Sequence, residues 1–140
     1  MILENKILSQ ILDQKDLKII TENNLNYKHF KHNQKAFNFI VDYYKQYQQM
    51  PSISSVAAEC PSFEYLENLD NVKYLSSKII DEAVKYELFD LLQNQTASQF
   101  SQMGGIEFQN WLTEQTERIR KNLLNEEKSG TNYKENASIS

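Results

Sequence analysis

Apolar residues recur along this chain at helical intervals. Over Ile2–Gln14, the side chains of Leu3, Ile7, Leu8, Ile11 and Leu12 fall on one face of a helix. Asp16 can cap a second, short helix holding Leu17, Ile19 and Ile20, which ends near Asn23 and Asn24. Residues 24–33 read as a connector carrying Leu25, Tyr27 and Phe30. A third helix is expected over 33–49, where Phe37, Ile40, Val41, Tyr44 and Tyr47 or Gln48 return at helical spacing and Asn33 is the natural N-cap. Met50-Pro51 stops it, because the residue before a proline disfavours helical backbone. Ser52 then caps a short helix with Ile53, Val56 and Ala57, and Pro61 separates it from a helix-like segment bearing Phe63, Tyr65, Leu66 and Leu69.

The second half has a simpler pattern. Residues 71–95 contain no glycine or proline. Their apolar members, from Val72, Leu75, Ile79 and Ile80 through Ala83, Val84, Tyr86, Leu88, Phe89, Leu91 and Leu92, cover well over half of a helical wheel. A helix packed on one side needs a stripe of only about 100°. A polar connector over 96–105 ends in Gly104-Gly105. The last helix, 106–125, carries Phe108, Trp111, Leu112, Ile119 and Leu123 on a narrow arc. Two long helices with a glycine joint read as an antiparallel pair. The expected fold is therefore all-α. A compact multi-helix head spans 1–70, a long antiparallel helical hairpin spans 71–125, and a polar, aperiodic flexible tail or linker spans 126–140.

Composition agrees with this picture. Only three glycines and two prolines interrupt 140 residues, of which 40 % are hydrophobic and 24 % charged, as in globular domains and unlike disordered chains. The net charge of −4 is spread over both halves and argues against nucleic-acid binding as the main activity. The single cysteine, Cys60, cannot form an internal disulfide. The N-terminus lacks the basic and apolar regions of a signal peptide, and no stretch reaches the ~20 apolar residues of a membrane span. A cytoplasmic protein is expected.

Candidate chemistry is sparse. A phosphate-binding loop needs a lysine after its second glycine, yet Gly104-Gly105 is followed by Ile106-Glu107 and Gly130 by Thr131, so no nucleotide cofactor is expected. His29 and His32 stand three apart, a possible metal pair. They lack a third ligand and sit among Lys28, Lys31 and Lys35, so a solvated connector is the simpler expectation and no metal is assigned. The same three lysines, interleaved with Tyr27 and Phe30, are weak candidates for nucleic-acid contact. Cys60 follows Glu59, whose charge raises a thiol pKa, and is expected to be a half-buried structural residue. Adjacent acids such as Asp81-Glu82 point to different helix faces and make poor acid–base partners. No catalytic residue emerges. Tyr43, Tyr44 and Tyr47 cannot all face inward and are candidates for partner contact. Leu88, Leu91 and Leu92, on the wide apolar arc, are candidates for self-association.

Several of these segments resemble the N-terminal domain of DnaB-family replicative DNA helicases. Glu4-Asn5-Lys6-Ile7-Leu8-Ser9-Gln10-Ile11-Leu12 is similar to the E-x-x-[IV]-L-x-x-[IL]-L first helix of that family. Phe37-Asn38-Phe39-Ile40 follows the F-x-[FI]-I pattern after Phe30. Asp42-Tyr43-Tyr44-Lys45-Gln46-Tyr47 with Met50-Pro51-Ser52 looks like the D-Y-Y-x-x-Y-x-x-[VM]-P-S segment of bacteriophage members. Where cellular members carry a His-Arg pair, Asn33, Gln34 and Lys35 stand here. The resemblance covers about residues 2–125. It implies a non-catalytic domain that associates through its hairpin, shapes a collar on a hexameric ring, and binds primase or a helicase loader, with the ATPase in a separate C-terminal domain. The alternative is a stand-alone phage or bacterial adaptor, a helicase loader or inhibitor, acting by protein–protein binding.

Overall fold

The computed structural model describes residues 1–125, and within them every regular element is helical. In chain order these are α1 (Ile2–Gln14), α2 (Lys18–Glu22), a 3-10 turn (Tyr27–His29), α3 (Gln34–Tyr47), α4 (Ile53–Glu59), α5 (Val72–Asp90), a π-helical segment (Leu91–Gln95), α6 (Thr96–Gln102) and α7 (Gly105–Leu124). The residues read as a tail, 126–140, lie outside the described part. None of the described helices is long and apolar enough to cross a membrane. The chain divides into two compact units, the first Met1–Ala83 and the second from Val84 onward.

The first unit is built on α1. Its apolar face, Ile7, Leu8, Ile11 and Leu12, is buried in a core with Ile19, Leu25, Phe30, Phe37, Ile40, Val56, Phe63, Leu75 and Ile79. Each leucine or isoleucine so buried is worth roughly 1.5–3 kcal/mol. Phe30 and Phe37 pack ring against ring at 4.9 Å. Because Leu75 and Ile79 belong to this core, and Val72 and Ile80 pack against it, the boundary between compact units falls inside α5 and not at its start. α1 ends where Lys15 takes the left-handed conformation (φ 62°) and its N–H bonds the Ile11 carbonyl. The Asp16 carboxylate accepts from the Lys18 N–H at 3.0 Å, opening α2.

Three local expectations are corrected. The connector over 24–33 is not loose: Asn26 Oδ1 accepts from the Lys28 N–H (2.8 Å), and the Asn26 N–H donates to His29 Nδ1 (3.0 Å), a capping box that closes the 3-10 turn. Asn33 stands at the N-cap of α3, but its side chain makes no cap bond. Its Nδ2 donates to Asn5 Oδ1 (3.3 Å) and its Oδ1 accepts from the Ser62 hydroxyl (2.9 Å).

Residues 63–69 form no helix. They run as an irregular strap along α1, whose polar row Asn5, Ser9 and Asp13 repeats every fourth residue. Asn5 Oδ1 accepts from the Glu64 N–H (3.1 Å), the Ser9 hydroxyl oxygen from the Leu66 N–H (2.9 Å), and Asp13 Oδ2 from the Tyr65 phenol (2.8 Å). Side chains of α1 thus take the backbone donors that a helix would have paired internally. Lys6 closes the end of the strap on Asp70 at 3.0 Å.

The second unit contains α6 where a polar connector is expected over 96–105: Thr96–Gln102 is helical, and only Met103-Gly104 lies outside helix before α7. The long helix expected to reach residue 95 changes register at Leu91–Gln95, which is π-helical. Asp90 accepts from two side-chain amides of that turn, Asn94 Nδ2 at 2.6 Å and Gln95 Nε2 at 3.1 Å. The Thr96 hydroxyl donates to the Leu91 carbonyl at 2.8 Å, five residues back. Phe100 of α6 meets Phe108 of α7 edge to face at 5.3 Å, and Phe108 stacks on Trp111 at 5.7 Å.

Candidate functional site

The second unit presents the largest chemical anomaly of the molecule. Between Val84 and Asn125 the buried hydrophobic side chains are Leu91 and Leu123. Tyr86, Phe89, Leu92, Phe100 and Ile106 are all more than half exposed, the last two at 67 % and 80 %. Phe108, Trp111, Leu112 and Ile119 of α7 are only half-buried. Solitary exposed hydrophobes are ordinary, whereas this many large ones between Tyr86 and Ile106 mark an interaction surface.

The three leucines expected there separate. Leu88 is 37 % and Leu92 61 % exposed, but Leu91 is 3 % exposed and is withdrawn from the candidate surface. Leu91 opens the π turn, where its carbonyl takes the Thr96 hydroxyl. Phe100 was hidden from a periodicity search because its neighbours Ser98, Gln99, Ser101 and Gln102 are polar and make the segment resemble a loop.

The tyrosine candidates lie on α3. Phe39, Tyr43 and Tyr47 recur every fourth residue, with ring centroids 5.9 Å and 4.7 Å apart. Tyr47 is 56 % exposed, while Tyr43 and Tyr44 are half-buried. The row can offer ring surface to a partner at the Tyr47 end.

The basic candidates bracket the 3-10 turn. Lys35 is exposed, Lys28 and Lys31 are half-exposed, and the Lys28 ammonium lies 5.8 Å from the Tyr27 ring centroid. Between them, His29 and Phe30 point into the core. The reading of both histidines as solvated is therefore corrected: His29 is buried, with Nδ1 engaged by the Asn26 N–H, and only His32 is exposed. The His32 N–H reaches the buried Glu4 carboxylate at 3.1 Å. Among the described residues no three of His, Cys, Asp and Glu come together as a metal site.

Cys60 is fully buried, not half-buried. Burial is the main cause that pushes its thiol pKa up; Lys35 works against it and Glu59 adds to it. A buried thiol held protonated is a packing residue and a poor nucleophile. No protein-family model, curated protein or solved structure matches this chain.

Proposed function

We propose that this chain is a non-catalytic assembly and partner-binding domain of the kind that precedes the ATPase in DnaB-family replicative helicases, working in the cytoplasm. It self-associates through residues 84–125, arranged as a helical hairpin, and offers the tyrosine row of α3 to a replication protein such as primase or a helicase loader. The reading draws on the first-helix and D-Y-Y-x-x-Y sequence patterns. The observation that carries it is the apolar surface of Tyr86, Leu88, Phe89, Leu92 and Phe100, which the described chain leaves in water. Covering a few such side chains offsets much of the cost of association, at roughly 1.5–3 kcal/mol for each one fully buried.

The test is sedimentation of the wild-type chain and of a Leu88→Gln/Leu92→Gln variant. The wild type should be oligomeric at tens of micromolar and the variant should shift toward monomer with unchanged helix content. A wild-type chain that stays monomeric at high micromolar concentration ends the proposal, and an oligomer of unchanged size in the variant moves the interface off this surface.

A further inference from the structure

Charge is divided unevenly along the chain in a way its total conceals. Residues 23–47 hold four lysines and a single acid, Asp42, for a local charge of +3. In a chain of net −4 the remaining residues therefore carry −7. The structure folds this stretch into the 3-10 turn and α3 of the first unit. Among the described residues, Lys28, Lys35 and Lys45 make no ion pair, so their charge is not neutralised internally. Lys35 stands one helical turn before Phe39, in line with the Phe39–Tyr43–Tyr47 row. From Lys35 to Tyr47 the row runs about 18 Å at 1.5 Å per residue.

From this juxtaposition we infer that the Lys35–Phe39–Tyr43–Tyr47 row of α3, with Lys28 on the 3-10 turn that contacts α3, is a single-stranded nucleic-acid platform. Phosphates are drawn by lysines that no acid among the described residues pairs, and bases stack on the ring surface exposed toward Tyr47. The aromatic row distinguishes this ligand from an acidic peptide, which would use the lysines and leave the rings idle. It also distinguishes it from a duplex, whose bases are already stacked and face inward. The strongly negative remainder of the chain repels a polyanion and confines it to this face. This inference is independent of self-association through residues 84–125, but it shares the tyrosine row with the proposed protein-partner surface, so a bound strand and that partner would compete for it.

The experiment is fluorescence anisotropy of a labelled short oligothymidylate with the full chain, over a salt series, beside a duplex of the same length and unlabelled polyglutamate as competitor. Two lysine contacts, Lys28 and Lys35, give a slope of log K against log salt of about −1.4, at roughly 0.7 per phosphate on single strands. Binding at low salt should be in the micromolar range, about tenfold or more tighter for the single strand than for the duplex. Tyr43→Ala/Tyr47→Ala should weaken single-strand binding by roughly tenfold, and Lys28→Glu/Lys35→Glu should abolish it. Tyr47→Ala alone, at the exposed end of α3, keeps the test valid if the double change perturbs folding, and should still weaken binding several-fold. The inference is overturned by any of three outcomes: no binding at 100 micromolar in low salt, equal affinity for duplex and single strand with no effect of the tyrosines, or competition by polyglutamate as effective as that by oligothymidylate.

Discussion

The two compact units bury their hydrophobic residues very differently. Residues 1–83 close a core in which four successive apolar residues of α1 meet side chains from α2, α3, α4, α5 and the strap. Residues 84–125 have a comparable supply of large hydrophobes, of which only Leu91 and Leu123 are buried. The lesson is that apolar content does not decide burial. The first unit has short elements that reach one another from several directions, so each apolar face finds a partner. The second unit is made of a few long helical stretches, and a helix with apolar residues all round cannot be covered by one neighbour with a narrow stripe.

The contrast can be broken by paired truncations. Phe30→Ala removes a fully buried ring packed on Phe37 and should cost about 3–5 kcal/mol in urea unfolding. Phe100→Ala, two-thirds exposed, should cost less than about 1 kcal/mol measured on dilute chain. Comparable losses at both sites would show that Phe100 is covered in solution and that the difference between the units is only apparent.

A second, smaller effect probes what seals the first unit. Asn5→Ala removes the oxygen that accepts from both Asn33 Nδ2 and the Glu64 N–H, leaving two donors at a nearly solvent-free site. Unfolding free energy should fall by about 2–3 kcal/mol, and amide exchange should quicken at Glu64. Asn5→Asp, which keeps an acceptor, should recover part of the loss. A loss below about 0.5 kcal/mol would mean that Phe63 and the Ser9, Asp13 and Lys6 contacts hold the strap without Asn5.

The smallest effect concerns the exposed end of the same strap. The Tyr65 phenol donates to Asp13, and this hydrogen bond is the leading cause that raises its pKa. Ionising Tyr65 is thus harder in the folded chain than in the unfolded one. The contribution of this contact is complete below the ordinary tyrosine range, about pH 10, and is lost as the pH rises through the elevated folded value. In ultraviolet titration the Tyr65 phenol should ionise above the ordinary tyrosine range, and Asp13→Asn should lower its midpoint. An unchanged titration curve in that variant would dissolve the contact.

Local pattern alone was enough for much of the fold. The apolar periodicity of α1 and the Ser52 cap of α4 follow from neighbouring residues, whereas α3 ends at Tyr47, with Gln48 in the left-handed conformation (φ 52°), before Met50-Pro51 is reached. The interaction surface was legible only in part. The excess apolar arc over 71–95 pointed to exposed side chains, and Leu88 and Leu92 are among them, but a wheel drawn with one fixed period cannot anticipate a π turn that draws Leu91 inward. Phe100 was obscured by its polar neighbours.

What the sequence determined by itself is the all-helical class, the extent of α1, the Ser52 cap of α4, and the absence of a phosphate-binding loop, because each depends on residues a few positions apart. The tertiary structure decided the rest. Asn33 has the residue type of a cap, but Asn5 and Ser62, both 28 or more positions away, take its side chain. Residues 63–69 have a helix-like pattern, but the row Asn5, Ser9 and Asp13 takes their hydrogen-bonding groups. His29 looks like a solvated ligand, but its ring is buried by the turn that its own nitrogen helps to close. For Asn33 and for residues 63–69 a polar group could be satisfied locally or by a distant partner, and the distant one prevails because satisfying it there also buries the apolar side chains beside it.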